Sequence, residues 1–247
     1  MRCTPKVTHI SNAENIRAWE SIPAQLIEGF GDEGDFGRQH LLNPAIFRML
    51  GDVGGKSILD AGCGQGYLCR LLAQQGAHVT GVEPATPQIA YAIRSERSAR
   101  LGITYIQEDL SLLRLNDRLF DAVVANMVFM DIPDYHQAML NCVRCLKDGG
   151  SLIFSLIHPC FEGSDSEYSE NGYIAVTEYF QQHSIEQTYG YRFHRTLSQY
   201  LNMVIQSGCR IAEIVEPQLD ARFEQHDHRY ARNVHVPAFI IVHAVKN

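Results

Sequence analysis

Between Asp60 and Tyr67 the chain places three glycines at alternate positions, Gly62, Gly64 and Gly66, separated by Cys63 and Gln65. A single acid, Glu83, closes the next apolar run. Without a Cβ, glycines take up positive φ and let a ligand come close to backbone N–H groups. A carboxylate at a strand end accepts hydrogen bonds from both hydroxyls of a ribose. The combination suits a nucleoside. It is not the dinucleotide fingerprint G-x-G-x-x-G, because the spacing is G-x-G-x-G and Tyr67 stands in the place of the third glycine. No Walker lysine follows, so a phosphate-cradling role loses support. Glycines alone also occur in an ordinary strand-to-helix turn, so the flanking pattern decides.

Such a turn needs a strand before it, a helix after it and a second strand to carry the acid. Ile58 and Leu59 supply the first strand, Leu68, Leu71 and Leu72 recur at helical spacing up to Gly76, and Val79 to Val82 forms the second strand. Upstream, Asn12 to Phe30 reads as a helix interrupted near Pro23, with Ile16, Trp19, Ile22, Leu26 and Ile27 on one side. Gly29 to Gly37 is glycine-rich and acidic, a lid or a solvated linker. Asn43 is expected to cap a helix that opens on Pro44 and buries Ile46, Phe47, Leu50 and Val53.

Downstream, Thr86 and Pro87 start a helix to about Leu101, with Ile89, Ala90 and Ile93 inward and Gly102 as its stop. Thr104 to Ile106 is a third strand, followed by Gln107, Glu108 and Asp109. Asp121 to Val128 is an apolar central strand, Pro133 to Leu146 a helix, Lys147 to Gly150 a turn and Ser151 to Ile157 a fifth strand. The pattern then breaks into a polar, tyrosine-rich stretch from Pro159 to Phe193, with β-like pieces around Tyr173 to Phe180. A helix from Thr196 to Gln206 and two strands, Cys209 to Val215 and Ala238 to Val245, complete the chain. Regular alternation of strands and helices implies an α/β, doubly wound, mostly parallel sheet with helices on both faces. The expected organisation is one domain: residues 1–40 as N-terminal helix and lid, 41–158 as cofactor-binding core, 159–195 as an inserted acceptor-side subregion, and 196–247 as the terminal helix and strands.

Composition bounds the function. The 247 residues carry a net charge of −7, with 45% hydrophobic and 20% charged residues, as in an ordinary globular protein. Lysines and arginines are scattered and form no phosphate-binding stripe, which argues against nucleic acid as a partner. The first eleven residues lack an apolar run, and no window is long and apolar enough to span a bilayer; the expectation is no membrane and a cytoplasmic location. Seven cysteines without framework spacing fit reduced thiols, and Cys142 and Cys145 lie in a helical pattern that makes them buried thiols rather than a metal pair.

With ILDAGCGQG, the acid of GVEP, Glu108-Asp109, FDAVVANMVF, the KDGGSLIFSL turn-and-strand and the terminal helix with two strands, the chain resembles class I S-adenosylmethionine-dependent methyltransferases from about Leu41 onward. IHPCF and FHRTLSQYLNMVIQSG resemble a subgroup that methylates small molecules. The resemblance implies a Rossmann-like, seven-stranded sheet with its last strand antiparallel, and S-adenosyl-L-methionine as cofactor. It implies that Gly62, Cys63 and Gly64 meet the methionine part through their backbone and that Glu83 binds the ribose. Pro84 and Ile89 would lie near the adenine, Asp109 and the backbone of Leu110 would recognise its amino group, and Asn126 and Met127 would lie beside the sulfonium. This cofactor has no phosphate, in keeping with the missing basic site.

In open α/β sheets ligands bind beyond the strand C-termini, so His158, after the fifth strand, is a candidate for acceptor binding or base work. His194, just before the last helix, is the second candidate; for both, a purely structural role is the alternative. Arg38 is placed to reach the cofactor carboxylate from the lid. Tyr168, Tyr173, Tyr179, Tyr189, Tyr191, Phe161 and Phe180 are candidates to wall an acceptor pocket, or to pack the insertion. His226 and His228 form an H-x-H in a polar loop, expected to be solvated, and no metal is expected. The expected partner is a small-molecule acceptor methylated at O, N or C, with monomer and homodimer both open. The alternatives are a tRNA or protein methyltransferase, opposed by the acidic charge and by Asn126-Met127-Val128-Phe129 in place of N-P-P-Y, and a non-catalytic cofactor-binding protein. A nicotinamide-dependent dehydrogenase is opposed by the glycine spacing.

Overall fold

The computed structural model describes residues 10–115, 119–162, 172–223 and 231–247. The chain opens with α1 (Asn12–Trp19) and α2 (Ala24–Gly29), separated at Pro23. Ser11 and Glu14 form a reciprocal capping box at the start of α1. A π-helical segment, Arg38–Leu42, then runs straight into α3 (Asn43–Leu50). The expected Asn43 cap does not form. The π-helical turn leaves no helix start there, and the Asn43 amide donates to the Glu33 carbonyl instead, tying down the loop before it.

The core alternates β1 (Ser57–Ala61), α4 (Tyr67–Gln74), β2 (His78–Val82), α5 (Thr86–Ala99), β3 (Thr104–Ile106), β4 (Phe120–Asn126), α6 (Tyr135–Arg144) and β5 (Leu146–Ile157). A separate two-stranded hairpin, β6 (His183–Glu186) and β7 (Tyr191–His194), precedes α7 (Leu197–Gln206), β8 (Cys209–Val215) and β9 (Phe239–Lys246). The main sheet has seven strands in the order β3-β2-β1-β4-β5-β9-β8. The last strand, β9, runs antiparallel to both its neighbours, while β1 to β5 are parallel.

Alternation along the central strands explains their near-continuous hydrophobicity. Leu59, Val123 and Phe154 face one layer with Met139, Tyr200 and Val242. Ile58, Val124 and Ile153 face the other with Ile46, Leu68 and Ile241. Successive side chains of a strand point to opposite faces, and helices cover both. Each of these strand side chains is fully buried, contributing roughly 1.5–3 kcal/mol by removal from water.

Several local expectations are corrected. α5 stops at Arg100 in the left-handed conformation, φ 53°, rather than at Gly102, and Ile93 is 36% exposed on its outer side. Leu26 is likewise exposed, because α2 turns only Ile27 inward. Lys147 to Gly150 lies within β5 as a bulge: pairing jumps from Phe120–Leu146 to Ala122–Ser151. The strands of the insertion are at 183–186 and 191–194, and Tyr173 to Phe180 forms none. Among the described residues no helix is long and apolar enough to cross a membrane.

Candidate functional site

Sheet order reverses between β1 and β4, since β2 and β3 extend from one side of β1 and β5 from the far side of β4. That switch point leaves a crevice at the strand C-termini. A cavity of about 310 Å³ opens there, lined by the turn after β1, Glu83 and Pro84 after β2, Asp109 and Leu110 after β3, and residues 126–128 and 130–133 at and beyond the end of β4. Helix α1 and its continuation close it from above with Asn12, Asn15, Ile16, Trp19 and Ile22.

The turn after β1 is shaped by backbone demands. Gly62 has φ 76°, and a Cβ there would stand 2.7 Å from Val128. Gly66 has φ 83°, and its Cβ would collide with the Tyr105 hydroxyl. The amides of Gly62 and Cys63 both donate to the Val82 carbonyl, at 2.8 and 2.9 Å, which folds the turn back onto β2. Tyr67, in the place of the third dinucleotide glycine, sinks its ring into the core. Its hydroxyl donates to Asn43 at 3.1 Å and accepts from Asn126 at 2.7 Å. Asn126 in turn accepts from Ser155 at 2.6 Å, so a polar chain fixes the cavity floor. Met127, next to it, has φ 64°, an uncommon conformation for a side-chain-bearing residue that marks a strained strand end.

Glu83 is 7% exposed. Its Oε2 accepts from the Gly64 amide at 3.1 Å and its Oε1 from the Ala85 amide at 2.9 Å. Burial pushes its carboxyl up to about 7, partly offset by those two amides. Each carboxylate oxygen keeps a second lone pair for a ligand hydroxyl. Asp109 accepts from the Ser111 amide at 2.8 Å and from Asn12 at 3.1 Å. Among the described residues lining the cavity Arg38 is the one arginine or lysine; it pairs with Asp35 and lies 5.0 Å over the Phe30 ring. The site therefore fits a nucleoside bearing no phosphate: a carboxylate for two hydroxyls, a glycine turn for close approach, and no phosphate-binding cluster.

Of the residues named from the sequence, Gly62, Cys63, Gly64, Glu83, Pro84, Asp109, Leu110, Asn126, Met127 and Arg38 converge on this one cavity. Ile89 does not. It is buried at 2% exposure, and Gln88, one residue earlier on α5, lines the cavity in its stead.

The two histidines also lie outside the lining. His158 is buried, with Nε2 2.7 Å from Glu216 and Nδ1 accepting from the Cys160 amide at 3.2 Å. Its own amide donates to Ala238 at 2.8 Å, so the ring locks the end of β5 to the loop and strand beside it. His194 has Nδ1 2.6 Å from Glu162 and Nε2 2.8 Å from the Tyr179 carbonyl. A carboxylate and a carbonyl as partners suit a ring that donates from both nitrogens, and the hydrogen bond to Glu162 raises its pKa. A ring engaged at both nitrogens offers no free position to take a proton from an acceptor. Of the aromatic candidates, Tyr179 holds the α7 start by bonding the Leu197 amide, Phe180 is 88% exposed, and none reaches the cavity lining among the described residues. Tyr168, His226 and His228 lie outside the described residues.

Asp131, beyond β4, and Asn12 and Asn15, on the roof helix, line the cavity without having been named from the sequence. Asp131 lines the cavity with its carboxyl pushed up to about 7 by burial, against the opposing pull of Arg192, Arg38 and Arg195. Nothing in its spacing marked it, because short turns after a strand carry no periodicity. Asn12 and Asn15 were readable only as polar positions on an amphipathic helix. Among the described residues no cluster of three or more His, Cys, Asp or Glu is arranged to hold a metal.

Residues 59–154 match the family model described as a methyltransferase domain. A ubiquinone biosynthesis O-methyltransferase of Coxiella burnetii is 33% identical over 126 residues, covering 50% of this chain and 54% of that protein. The same-named protein of Photorhabdus laumondii is 29% identical over 160 residues, 63% of this chain and 65% of that one. The chain thus spans between about half and two thirds of the length of these curated relatives. The crystal structure of an S-adenosylmethionine-dependent methyltransferase from Mesorhizobium loti superposes with a TM-score of 0.73 and 26% identity, covering 87% of this chain and all (100%) of that one.

Proposed function

Because this chain belongs to the class I S-adenosylmethionine-dependent methyltransferases, we propose that it transfers a methyl group from S-adenosylmethionine to a small-molecule acceptor. The observation that carries this reading is Glu83: its two oxygens are oriented by the Gly64 and Ala85 amides at the rim of the cavity, facing the place a ribose would occupy. The turn Gly62 to Gly64 then meets the methionine part through its backbone. Asp109 and the Leu110 amide take the adenine edge, with Pro84 and Gln88 bordering the ring. Asn126 and Met127 stand at the strand end where the methyl-bearing sulfur belongs, and Arg38 reaches the carboxylate end from the lid.

When bound, S-adenosylmethionine supplies a methyl carbon already activated by its positive sulfur. The protein's work is alignment, which in oriented intramolecular reactions is worth roughly 7–11 kcal/mol. The Ser155–Asn126–Tyr67 chain supports it by holding the floor rigid, and the apolar lid of Ile16, Trp19 and Ile22 supports it by excluding water. A small acceptor is favoured because α1 roofs the cavity. The curated relatives are named as O-methyltransferases of ubiquinone biosynthesis, which agrees with a small acceptor.

The test is incubation with S-adenosylmethionine labelled in its methyl group and a panel of hydroxylated, amino and carbon-acid small molecules, with tRNA and protein as controls. Label in a small product supports the reading. Label confined to RNA or protein contradicts it.

A further inference from the structure

We infer that Asp131 is the group that binds and deprotonates the acceptor, and that the acceptor is an apolar, ring-bearing molecule methylated on a hydroxyl. The inference rests on the cofactor reading above and deepens it.

Asp131 ends a short 3-10 turn, Phe129–Asp131, just beyond β4, and is one of the residues lining the cavity. Every other carboxylate lining that cavity has a backbone partner: Glu83 holds the Gly64 and Ala85 amides, and Asp109 holds the Ser111 amide. Among the described residues the Asp131 carboxylate has no hydrogen-bond or ion-pair partner. Its backbone, by contrast, is fixed on all sides. The Asp131 carbonyl accepts from Asn15, and Arg195 donates to the carbonyls of Phe129, Ile132 and Pro133 at 3.1, 2.7 and 2.9 Å. A partly buried acid held in place with its oxygens free is arranged for a partner that arrives with the ligand.

Its surroundings define that partner. The cavity that Asp131 lines has apolar walls that include Ile16, Trp19, Phe30, Met130 and Ile132, a surface suited to a ring. Arg38 from the lid, Arg192 from β7 and Arg195 ahead of α7 each pull on the Asp131 charge, although Arg38 is paired with Asp35 and Arg192 lies 3.9 Å from Glu162. The net positive influence of these arginines on Asp131 opposes a bound ammonium and favours an acceptor that becomes anionic, as a hydroxyl does when it loses its proton. Burial keeps the acid's affinity for a proton near neutrality, which suits a general base. In the step, the acceptor's O–H proton passes to the Asp131 carboxylate while an oxygen lone pair forms the bond to the methyl carbon. The carbon–sulfur bond breaks with its electron pair moving to sulfur, and the products are a methyl ether and the neutral thioether.

The test uses the full chain loaded with S-adenosylhomocysteine and 4-nitrophenol as a probe whose absorbance reports its own ionisation. Wild type is expected to bind the probe with a perturbed absorption band. Asp131→Asn is expected to lose at least tenfold in probe affinity while binding S-adenosylhomocysteine within threefold of wild type and melting no lower. Asp131→Glu is expected to recover part of the loss. Equal probe affinity in Asp131→Asn, no probe binding by loaded wild type, or tighter binding of benzylamine than of 4-nitrophenol would overturn the assignment. Failure of wild type to bind S-adenosylhomocysteine at all would instead overturn the cofactor reading beneath it.

Discussion

Asn12 on α1 donates through Nδ2 to Asp109, 3.1 Å away beyond the end of β3, and the same nitrogen reaches Ser111 at 2.8 Å. The Asn12 carbonyl oxygen accepts from the Asp134 amide at 3.0 Å, so one side chain ties the roof helix to two strand-end loops. The roof is thereby keyed to the residue proposed to recognise the adenine. Asn12→Ala is expected to weaken S-adenosylmethionine binding by about 1–2 kcal/mol, roughly 5–30-fold, mostly through faster dissociation. Stopped-flow displacement measures it. An unchanged off-rate would show that the roof is not held by this link.

Glu83 predicts a pH dependence. Its carboxyl sits at about 7 in the free protein because burial disfavours the charge, and ribose hydroxyls would donate to the ionised form. Binding should therefore release a proton near and below neutrality, and affinity should fall by up to about tenfold per unit as pH drops below 7. Calorimetry in buffers of different ionisation enthalpy reads the proton directly. No proton release at about pH 6 would remove the ribose role from the ionised carboxylate.

His194 makes a prediction about stability. Its pKa is raised by Glu162, so the folded state binds its proton more tightly than the unfolded state. The stabilisation is complete below the unfolded pKa of about 6.5 and is lost as pH rises through the folded pKa. The melting-temperature gap between wild type and His194→Gln should shrink from pH 6 to pH 9. A gap that is constant or widens contradicts a protonated, Glu162-paired ring.

His158→Gln should separate scaffold from chemistry. The ring is buried and bonded to Glu216 and Cys160 away from the cavity lining, so its loss should lower stability by about 1–3 kcal/mol. The affinity for S-adenosylmethionine should stay within about threefold, since no bond of His158 reaches the site. A thousandfold loss of turnover at unchanged stability would restore it as a catalytic candidate.

How far the chain could be read follows from where periodicity and backbone constraints operate. The parallel strands were legible because residues such as Ile58 and Leu59 must be apolar on both faces of a covered sheet. The turn was legible because Gly62 cannot carry a Cβ against Val128. The acids at 83 and 109 were legible because both end strands. Asp131 was not: a residue in a three-residue turn acquires its environment from Arg38 and from Arg192 and Arg195, two stretches of chain far from it in sequence. The histidines misled for a related reason. Their position beyond strands suggested the crevice, but partners at Glu216 and Glu162, 58 and 32 positions away, turned each ring elsewhere. Ile89 was off by a single residue, since helical phase within α5 decides that Gln88 faces the cavity and Ile89 the core.

The central claim is that the crevice after β1 and β2 binds S-adenosylmethionine through Glu83. Titration calorimetry of wild type and Glu83→Ala with S-adenosylmethionine, and of wild type with NAD, tests it most directly. Wild type should bind one S-adenosylmethionine per chain, Glu83→Ala should bind it more weakly by roughly 1.5–3 kcal/mol, and NAD should not bind. Binding of NAD without S-adenosylmethionine, or equal affinity in the variant, would contradict the account.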